Sequence, residues 1–261
     1  MRRAVCVSTA LVLCAISGGA WARGSSGQIP EYIRAAVANS TRPQMDRRRD
    51  VNRKPEQVLA FAGVRPGLKI AELEPAAGYY TRILCKAVGS TGHIYAVNFN
   101  LHFSPQMLQR MRRMGRRMMG PPPAPKTDCQ NVTYSVQAAP ALKLPSGLDM
   151  VWTAENYHDF HNAEFGKPNI RTFDRTVFEA LKPGGVFIIE DHAAAAGTGA
   201  KDTNTLHRID PALVKREVES VGFHYAGESR VLHNPKDNHT QVVFKMMDRT
   251  DRFLFKFRKP E

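Results

Sequence analysis

Short apolar runs of strand length alternate with longer segments of helical periodicity from residue 68 onward. The predicted strands are 68–73, 92–97, 131–136, 148–153, 185–190, 223–231, 240–247 and 252–258. The predicted helices are 30–38, 55–63, 79–88, 171–181 and 211–221. Residues 41–54 are polar and strongly basic, which predicts a solvated connection. The alternation predicts an α/β fold with a doubly wound, mostly parallel sheet, closed at one edge by a C-terminal antiparallel hairpin.

A basic helical insertion interrupts this alternation at residues 104–127. The helix begins at Ser104-Pro105 and ends at the Gly120–Pro123 run, and its methionines share one face: Met107, Met111, Met114 and Met118. We expect this face to pack on the core. The alternatives are peripheral contact of the 105–119 helix with an anionic membrane, or copper binding through thioethers. Nucleic acid is not an expected partner, because the arginines lack interleaved aromatic residues.

The first 22 residues have the pattern of a signal peptide. A positive Met1-Arg2-Arg3 segment precedes the apolar run 4–16, which is too short to span a bilayer, and Ala20-Trp21-Ala22 offers a cleavage site. The mature chain is therefore expected to start near Arg23 and to be periplasmic or secreted, with an uncleaved membrane anchor as the alternative. The predicted organisation is a signal peptide (1–22), an N-terminal extension (23–54) and one domain (55–261).

Charge and cysteine content add two expectations. The formal net charge of +13 favours acidic partners or an anionic membrane surface. Cys85 and Cys129 remain after removal of the signal peptide. They could form one disulfide, but two buried or partly buried thiols are the default expectation.

The turn between the strand 68–73 and the helix 79–88 is the first candidate binding site. Such a turn lets a ligand approach the backbone, and the helix N-terminus favours a carboxylate or phosphate. Glu72 occupies the acidic position at the strand end, and Gly78 closes the turn. Because Glu74 and Ala76 stand where glycine or another small residue is usual, an ordinary turn without a ligand is the alternative.

The next strand ends at Asn98, about 20 residues after Gly78, where nucleotide-binding folds place an acid on the ribose hydroxyls. Asn98 is neutral, but it can still donate and accept hydrogen bonds.

Several segments resemble class I S-adenosylmethionine-dependent methyltransferases. They are the turn 71–82, the segment 149–162 with its Asn-Tyr-His-Asp-Phe-His run, the Leu-Lys-Pro-Gly-Gly strand entry at 181–192, and the polar segment 202–210. More narrowly, residues 50–258 resemble an exported bacterial group of predicted methyltransferases. The resemblance implies a seven-stranded sheet with a reversed last hairpin. It also implies that S-adenosylmethionine binds at the carboxyl ends of the strands, and that the methyl group goes to a small or exposed acceptor.

Candidate site residues follow from these motifs. His158 is the expected general base, because the pKa of a histidine lies near neutral, and Asp159 is the group that would orient an imidazole or take the acceptor's proton. The expected cofactor-binding residues are Glu72, Glu74, Ala76, Gly78, Tyr79, Asn98 and Asn156. The expected substrate-binding residues are Tyr157, His161, His192 and Arg208.

Other interpretations of the same residues stay open. The polar side chains around His158 could cap a helix and bond within their loop, and Asp210 could simply cap the next helix. A metal-dependent protein is an alternative that requires His158, His161 and His192 to converge, and no metal site is assigned. The alternative from a different functional class is a non-catalytic exported binding protein with a degenerate cofactor turn.

Overall fold

The computed structural model describes residues 28–102, Gln109 and 123–261. The predicted signal peptide, and with it the predicted export, lies outside the described residues. So does most of the predicted insertion, including its methionine face and its possible membrane contact. Across the described ranges, no helix has the length and apolar character needed to cross a membrane.

Seven strands form one sheet in the order β3-β2-β1-β4-β5-β7-β6. They are β1 (Lys69–Leu73), β2 (His93–Phe99), β3 (Val132–Gln137), β4 (Leu148–Ala154), β5 (Leu181–His192), β6 (His224–Ser229) and β7 (Arg252–Arg258). Neighbours pair in parallel except β7, which runs antiparallel to both β5 and β6. The predicted fold class and reversed last hairpin are confirmed.

Helices cover both faces of the sheet. They are α1 (Glu31–Ala38), α2 (Gln44–Arg53), α3 (Pro55–Ala62), α4 (Tyr79–Val88), α5 (Ile170–Ala180), α6 (Pro211–Glu219) and the short α7 (Val243–Met246). Successive strand residues point to opposite faces, so Ile70 packs in the core with α1, α3 and α4, whereas Ala71 packs in the core with α5 and α6. Asp210 caps α6 as predicted, because its side chain accepts a hydrogen bond from the N–H of Ala212.

Two sequence predictions about local structure are wrong. Residues 41–54 contain the helix α2 instead of a solvated connection, and Arg42, Asp46 and Arg53 in this region are buried. Residues 240–247 contain the short helix α7 instead of a strand.

Cys85 and Cys129 form a disulfide that joins α4 to the segment before β3. The default expectation of two free thiols is therefore wrong. Composition could not decide this point, because pairing depends on the folded distance between the two residues.

Candidate active site

A cavity of about 410 Å³ opens at the carboxyl ends of β1 and β4. These two strands are neighbours in the sheet, and the chain leaves them towards opposite sides, since β2 and β5 lie on either flank. Such a switch point is where ligands bind in open α/β sheets. The cavity is lined by the turn after β1, the loop after β4, α2 and the region around α7.

The turn after β1 has the backbone shape of a glycine-rich turn with only one glycine. The φ angles of Glu74, Ala76 and Gly78 are 49°, 48° and 81°. Residues with a side chain rarely adopt such angles, so the turn holds local strain at two of the three positions. At Gly78 the glycine is required, because an added Cβ would lie 2.5 Å from the Cβ of Pro125.

Two asparagines hold this turn in place. Asn98 Oδ1 accepts a hydrogen bond from the N–H of Ala76 at 3.3 Å, and its Nδ2 donates to the hydroxyl of Tyr134 at 3.2 Å. Asn156 Nδ2 donates to the carbonyl of Glu74 at 3.0 Å. Asn98 is fully buried and does not line the cavity, whereas Asn156 does.

Two carboxyl groups, one near the end of β1 and one in the turn after it, are poorly solvated. Glu72 accepts a hydrogen bond from the Thr81 hydroxyl at 2.6 Å, and burial raises its pKa to about 7. Glu74 accepts a hydrogen bond from the N–H of Phe99 at 2.9 Å, and burial raises its pKa to about 7 as well. A cation bound beside them would favour their charged forms.

Helix α2 supplies two ion-paired arginines, Arg49 and Arg53, to the cavity wall. Arg53 forms an ion pair with Glu155, and both Arg49 and Arg53 pair with Asp248. Both guanidinium groups also stack on the Tyr79 ring, 5.5 Å and 4.7 Å from its centroid. These arginines were missed by the sequence analysis because a run of polar residues gives no sign of its distant partners.

A polar cluster follows β4 and lines the same cavity as the turn. His158 Nδ1 lies 2.8 Å from Asp191 Oδ1, and His158 Nε2 lies 3.3 Å from both Asp159 Oδ1 and His207 Nδ1. Burial alone would lower the pKa of His158, but the carboxylates of Asp191 and Asp159 outweigh it and raise the pKa to about 9. At neutral pH this imidazole is therefore protonated, which disfavours its predicted role as general base.

His192 contributes a contrasting imidazole. Burial lowers the pKa of His192 to about 4, so the ring is neutral, and its Nδ1 lies 2.8 Å from the Thr250 hydroxyl. The ring centroids of His192 and His158 are 6.0 Å apart.

The structure brings most of the predicted site residues to one cavity. Those that line it are Glu72, Glu74, Ala76, Tyr79, Asn156, His158, Asp159 and His192.

Three predicted substrate-binding residues lie elsewhere. Tyr157 is buried in the core, where its hydroxyl donates to Asp174 at 2.9 Å. His161 faces Glu217, with 3.2 Å between Nε2 and the carboxylate. Arg208 is fully buried in an ion pair of 2.8 Å with Asp237 and donates to the Ala193 carbonyl. Their positions do not support contact with a substrate in this cavity.

Other lining residues were missed by the sequence analysis, notably His207, Glu155 and Phe244. His207 and Glu155 have φ angles of 55° and 64°, a backbone strain that the sequence does not reveal. The sequence predicts a strand at Phe244, whereas a short helix forms there and places this residue at the cavity.

The chain matches no family model. It is similar to the protein named ubiquinone/menaquinone biosynthesis C-methyltransferase UbiE. For Shewanella halifaxensis the identity is 24% over 193 residues, which is 71% of this chain and 68% of the relative. For Shewanella sediminis it is 26% over 187 residues, which is 69% of this chain and 65% of the relative.

Two solved structures share the fold. A SAM-dependent methyltransferase from Aquifex aeolicus aligns with a TM-score of 0.52 and 16% identity, covering 82% of this chain and 95% of that one. The putative methyltransferase solved with the Trm112 activator of Haloferax volcanii also gives a TM-score of 0.52 at 16% identity, covering 88% of this chain and 98% of that one.

Proposed function

We propose that this chain is a class I S-adenosylmethionine-dependent methyltransferase and that its cavity binds S-adenosylmethionine between the turn after β1 and α2. The methyl group would then pass to an acceptor held against His158, Asp159 and His207. The observation that carries this proposal is the turn itself, because it keeps left-handed angles at Glu74, Ala76 and Gly78 although two of these residues have side chains. Strain of this kind persists where the surroundings, or a ligand, require the shape.

The cavity fits the cofactor in size and in charge. Its volume of about 410 Å³ falls within the range of about 300–1,000 Å³ that is usual for ligand sites. Glu72 and Glu74 are poorly solvated carboxyl groups that a bound cation would stabilise in their charged form, and S-adenosylmethionine carries a sulfonium and an ammonium group. The N-terminus of α4 suits the carboxylate of its methionine part.

S-adenosylmethionine supplies an electrophilic methyl group when bound, so the main task of the protein is to position the acceptor. Asp159 offers a carboxylate at the cavity wall that can accept a hydrogen bond from an acceptor hydroxyl or amine. Protonated His158 can donate one to an acceptor oxygen.

An acceptor with an apolar or aromatic body fits the cavity mouth. Phe244 and Met247 line the cavity, yet their side chains are 66% and 69% exposed. Large apolar side chains exposed beside a cleft are typical of a contact surface for a ligand. The names of the UbiE relatives, which refer to ubiquinone and menaquinone biosynthesis, support an aromatic acceptor.

We further propose that the protein acts outside the cytoplasm. The signal-peptide pattern of residues 1–22 supports this location, and so does the Cys85–Cys129 disulfide, because disulfides persist mainly in oxidising compartments. Fractionation of cells that produce the full chain would test this, and a protein found only in the cytoplasm, with residues 1–22 retained, would contradict it.

Calorimetric titration of the purified protein with S-adenosylmethionine tests the cofactor site. Ala77 is exposed and lines the cavity, so Ala77→Trp should fill the cavity without disturbing the core. The matched control is Ala226→Trp, on the exposed edge strand β6. We expect the wild type and Ala226→Trp to bind, and Ala77→Trp to lose binding. Absence of binding to the folded wild type would overturn the proposal, and binding without transfer to any aromatic acceptor would favour the non-catalytic alternative.

A further inference from the structure

Three potential metal-ligating atoms converge on the wall of the cavity. His158 Nε2 lies 3.3 Å from Asp159 Oδ1 and 3.3 Å from His207 Nδ1, and the third side of the triangle, His207 Nδ1 to Asp159 Oδ1, measures 3.7 Å. This is the group of side chains in the described ranges whose donor atoms could hold one metal ion. The sequence-based alternative required His158, His161 and His192 to converge. His161 faces Glu217 instead and does not belong to the cluster.

The size of this triangle matches the coordination sphere of a small transition-metal ion. Tetrahedral bonds of about 2.0–2.2 Å to nitrogen and oxygen place neighbouring ligand atoms about 3.3–3.6 Å apart. A hydrogen bond between an imidazolium and a carboxylate is shorter, at about 2.7–2.9 Å. At 3.3 Å, 3.3 Å and 3.7 Å the three distances are close to those between ligands of a common ion, and the contact between His158 Nε2 and His207 Nδ1 is also within hydrogen-bond distance.

The surroundings orient His158 as a ligand. Its Nδ1 lies 2.8 Å from the fully buried Asp191, which also accepts the backbone N–H groups of His158 and His192, each at 2.7 Å. A carboxylate on one ring nitrogen fixes the ring and leaves the other nitrogen for a metal, as is usual for metal-bound histidines.

The remaining two ligands are also held in place. Asp159 accepts a hydrogen bond from Asn162 Nδ2 at 3.2 Å. His207 has a φ of 55°, and its ring packs against Phe244 with 4.6 Å between the centroids. Strain at a residue of this kind is often associated with a functional position.

We propose that His158, Asp159 and His207 bind one divalent transition-metal ion such as Zn²⁺, with the open side of the ion towards the cavity. Two histidines and one carboxylate with a free position are typical of catalytic zinc sites. All three residues line the cavity proposed for the cofactor and the acceptor. In the metal-bound protein the ion displaces the proton of His158 Nε2, because only an unprotonated nitrogen can bind a metal. The free position of the ion, instead of a hydrogen bond from His158, would then hold an oxygen atom of the acceptor. This role rests on the proposed function, whereas metal binding does not.

Metal titration of the full chain, purified without a histidine tag and treated with EDTA, tests the site. Zn²⁺ affinity is measured by competition with a chromophoric chelator, and Co²⁺ reports tetrahedral coordination through its visible absorption. The first variant is His207→Asn, because asparagine tolerates the left-handed backbone at this position. The second is the isosteric Asp159→Asn. The matched control is His161→Gln, a histidine of the same loop outside the cluster.

We expect one Zn²⁺ per chain. Each cluster variant should weaken Zn²⁺ binding by at least about 100-fold, because loss of a direct ligand costs more affinity than loss of a residue that only supports a ligand. His161→Gln should bind like the wild type, and circular dichroism should show every variant folded. A folded wild type that fails to bind Zn²⁺, or cluster variants that bind as well as the wild type, would overturn the site. The same EDTA-treated protein is also titrated with S-adenosylmethionine. Binding of S-adenosylmethionine without binding of Zn²⁺ would overturn the metal site alone, and binding of Zn²⁺ without binding of S-adenosylmethionine would overturn the proposed function alone.

Discussion

The side-chain carboxylate of Glu74 accepts a hydrogen bond from the backbone N–H of Phe99 at 2.9 Å, and this bond joins the turn after β1 to the end of β2. The end of the second strand is where nucleotide-binding folds place an acid on the ribose hydroxyls. Asn98 stands there in this sequence, but it is buried and bonded to the turn and to Tyr134. The carboxylate of Glu74 reaches the same place from the turn, at a position where glycine or another small residue is usual.

Glu74→Gln should therefore weaken the binding of S-adenosylmethionine. Loss of a charged acceptor for the ribose hydroxyls is expected to reduce the affinity about 10- to 100-fold, the range for a hydrogen bond to a charged group. Calorimetric titration near pH 8 measures this. Glu179→Gln, an exposed substitution on α5, is the control. Equal affinities for Glu74→Gln and the wild type would show that Glu74 only supports the turn.

Glu72 should make the stability of the protein depend on pH. Burial raises its pKa from 4.5 to about 7 in the folded state. Between these two pH values the folded protein holds a proton that the unfolded chain has released. The contribution of Glu72 to the free energy of unfolding is therefore fully present below pH 4.5 and is lost as the pH rises through 7.

Replacement of Glu72 by glutamine removes this titration. The free energy of unfolding of Glu72→Gln should therefore rise relative to that of the wild type by about 3 kcal/mol between pH values of about 4.5 and 7.5. Urea unfolding at the two pH values measures the difference, with Glu179→Gln again as the control. A difference that does not change with pH would mean that Glu72 titrates alike in the folded and unfolded states.

The sequence predicts those parts of the molecule in which the signal is local. The strand ending at Leu73, the turn closed by Gly78 and the helix 79–88 can be predicted because apolar periodicity and turn residues act within a few positions. The carboxyl ends of parallel strands meet at one edge, so the grouping of Glu72 with His158 in one cavity follows from the topology.

The parts that were missed depend on partners distant in sequence. The 41–54 region is polar throughout, and only the folded structure shows that Arg53 pairs with Asp248 across 195 residues. His207 reaches the cavity because its loop folds back beside His158, which no periodicity indicates. Arg208 shows the opposite error. A charged residue in a polar segment predicts an accessible side chain that can bind a substrate, but Arg208 is fully buried in an ion pair with Asp237.

The docking of α2 should depend on the buried ion pair between Arg82 and Asp46. Arg82 Nε and Nη2 lie 2.7 Å and 2.6 Å from the same oxygen of Asp46, and both side chains are at most 10% exposed. Removal of one partner leaves a buried charge without compensation, so Arg82→Met and Asp46→Leu should each cost about 3–5 kcal/mol of the free energy of unfolding.

The double variant Arg82→Met/Asp46→Leu should cost less than the sum of the two single changes, with a coupling of about 2 kcal/mol. Urea unfolding of the wild type, the two single variants and the double variant measures this coupling. Additive effects would show that the two side chains act independently, and that the other bonds of Arg82, to the carbonyls of Ala77 and Lys126, account for its contribution.

The Cys85–Cys129 disulfide should stabilise the fold mainly by lowering the conformational entropy of the unfolded chain. It links residues 44 positions apart and so closes a long loop that contains β2. Loop-closure entropy gives an upper value of about 4 kcal/mol for a loop of this length. We expect Cys85→Ala/Cys129→Ala to unfold at lower urea concentration by a corresponding amount, and the wild type in reducing buffer to behave like the double variant. If reduction leaves the unfolding midpoint of the wild type unchanged while the double variant is destabilised, the packing of the two side chains carries the effect, and the entropic account is wrong.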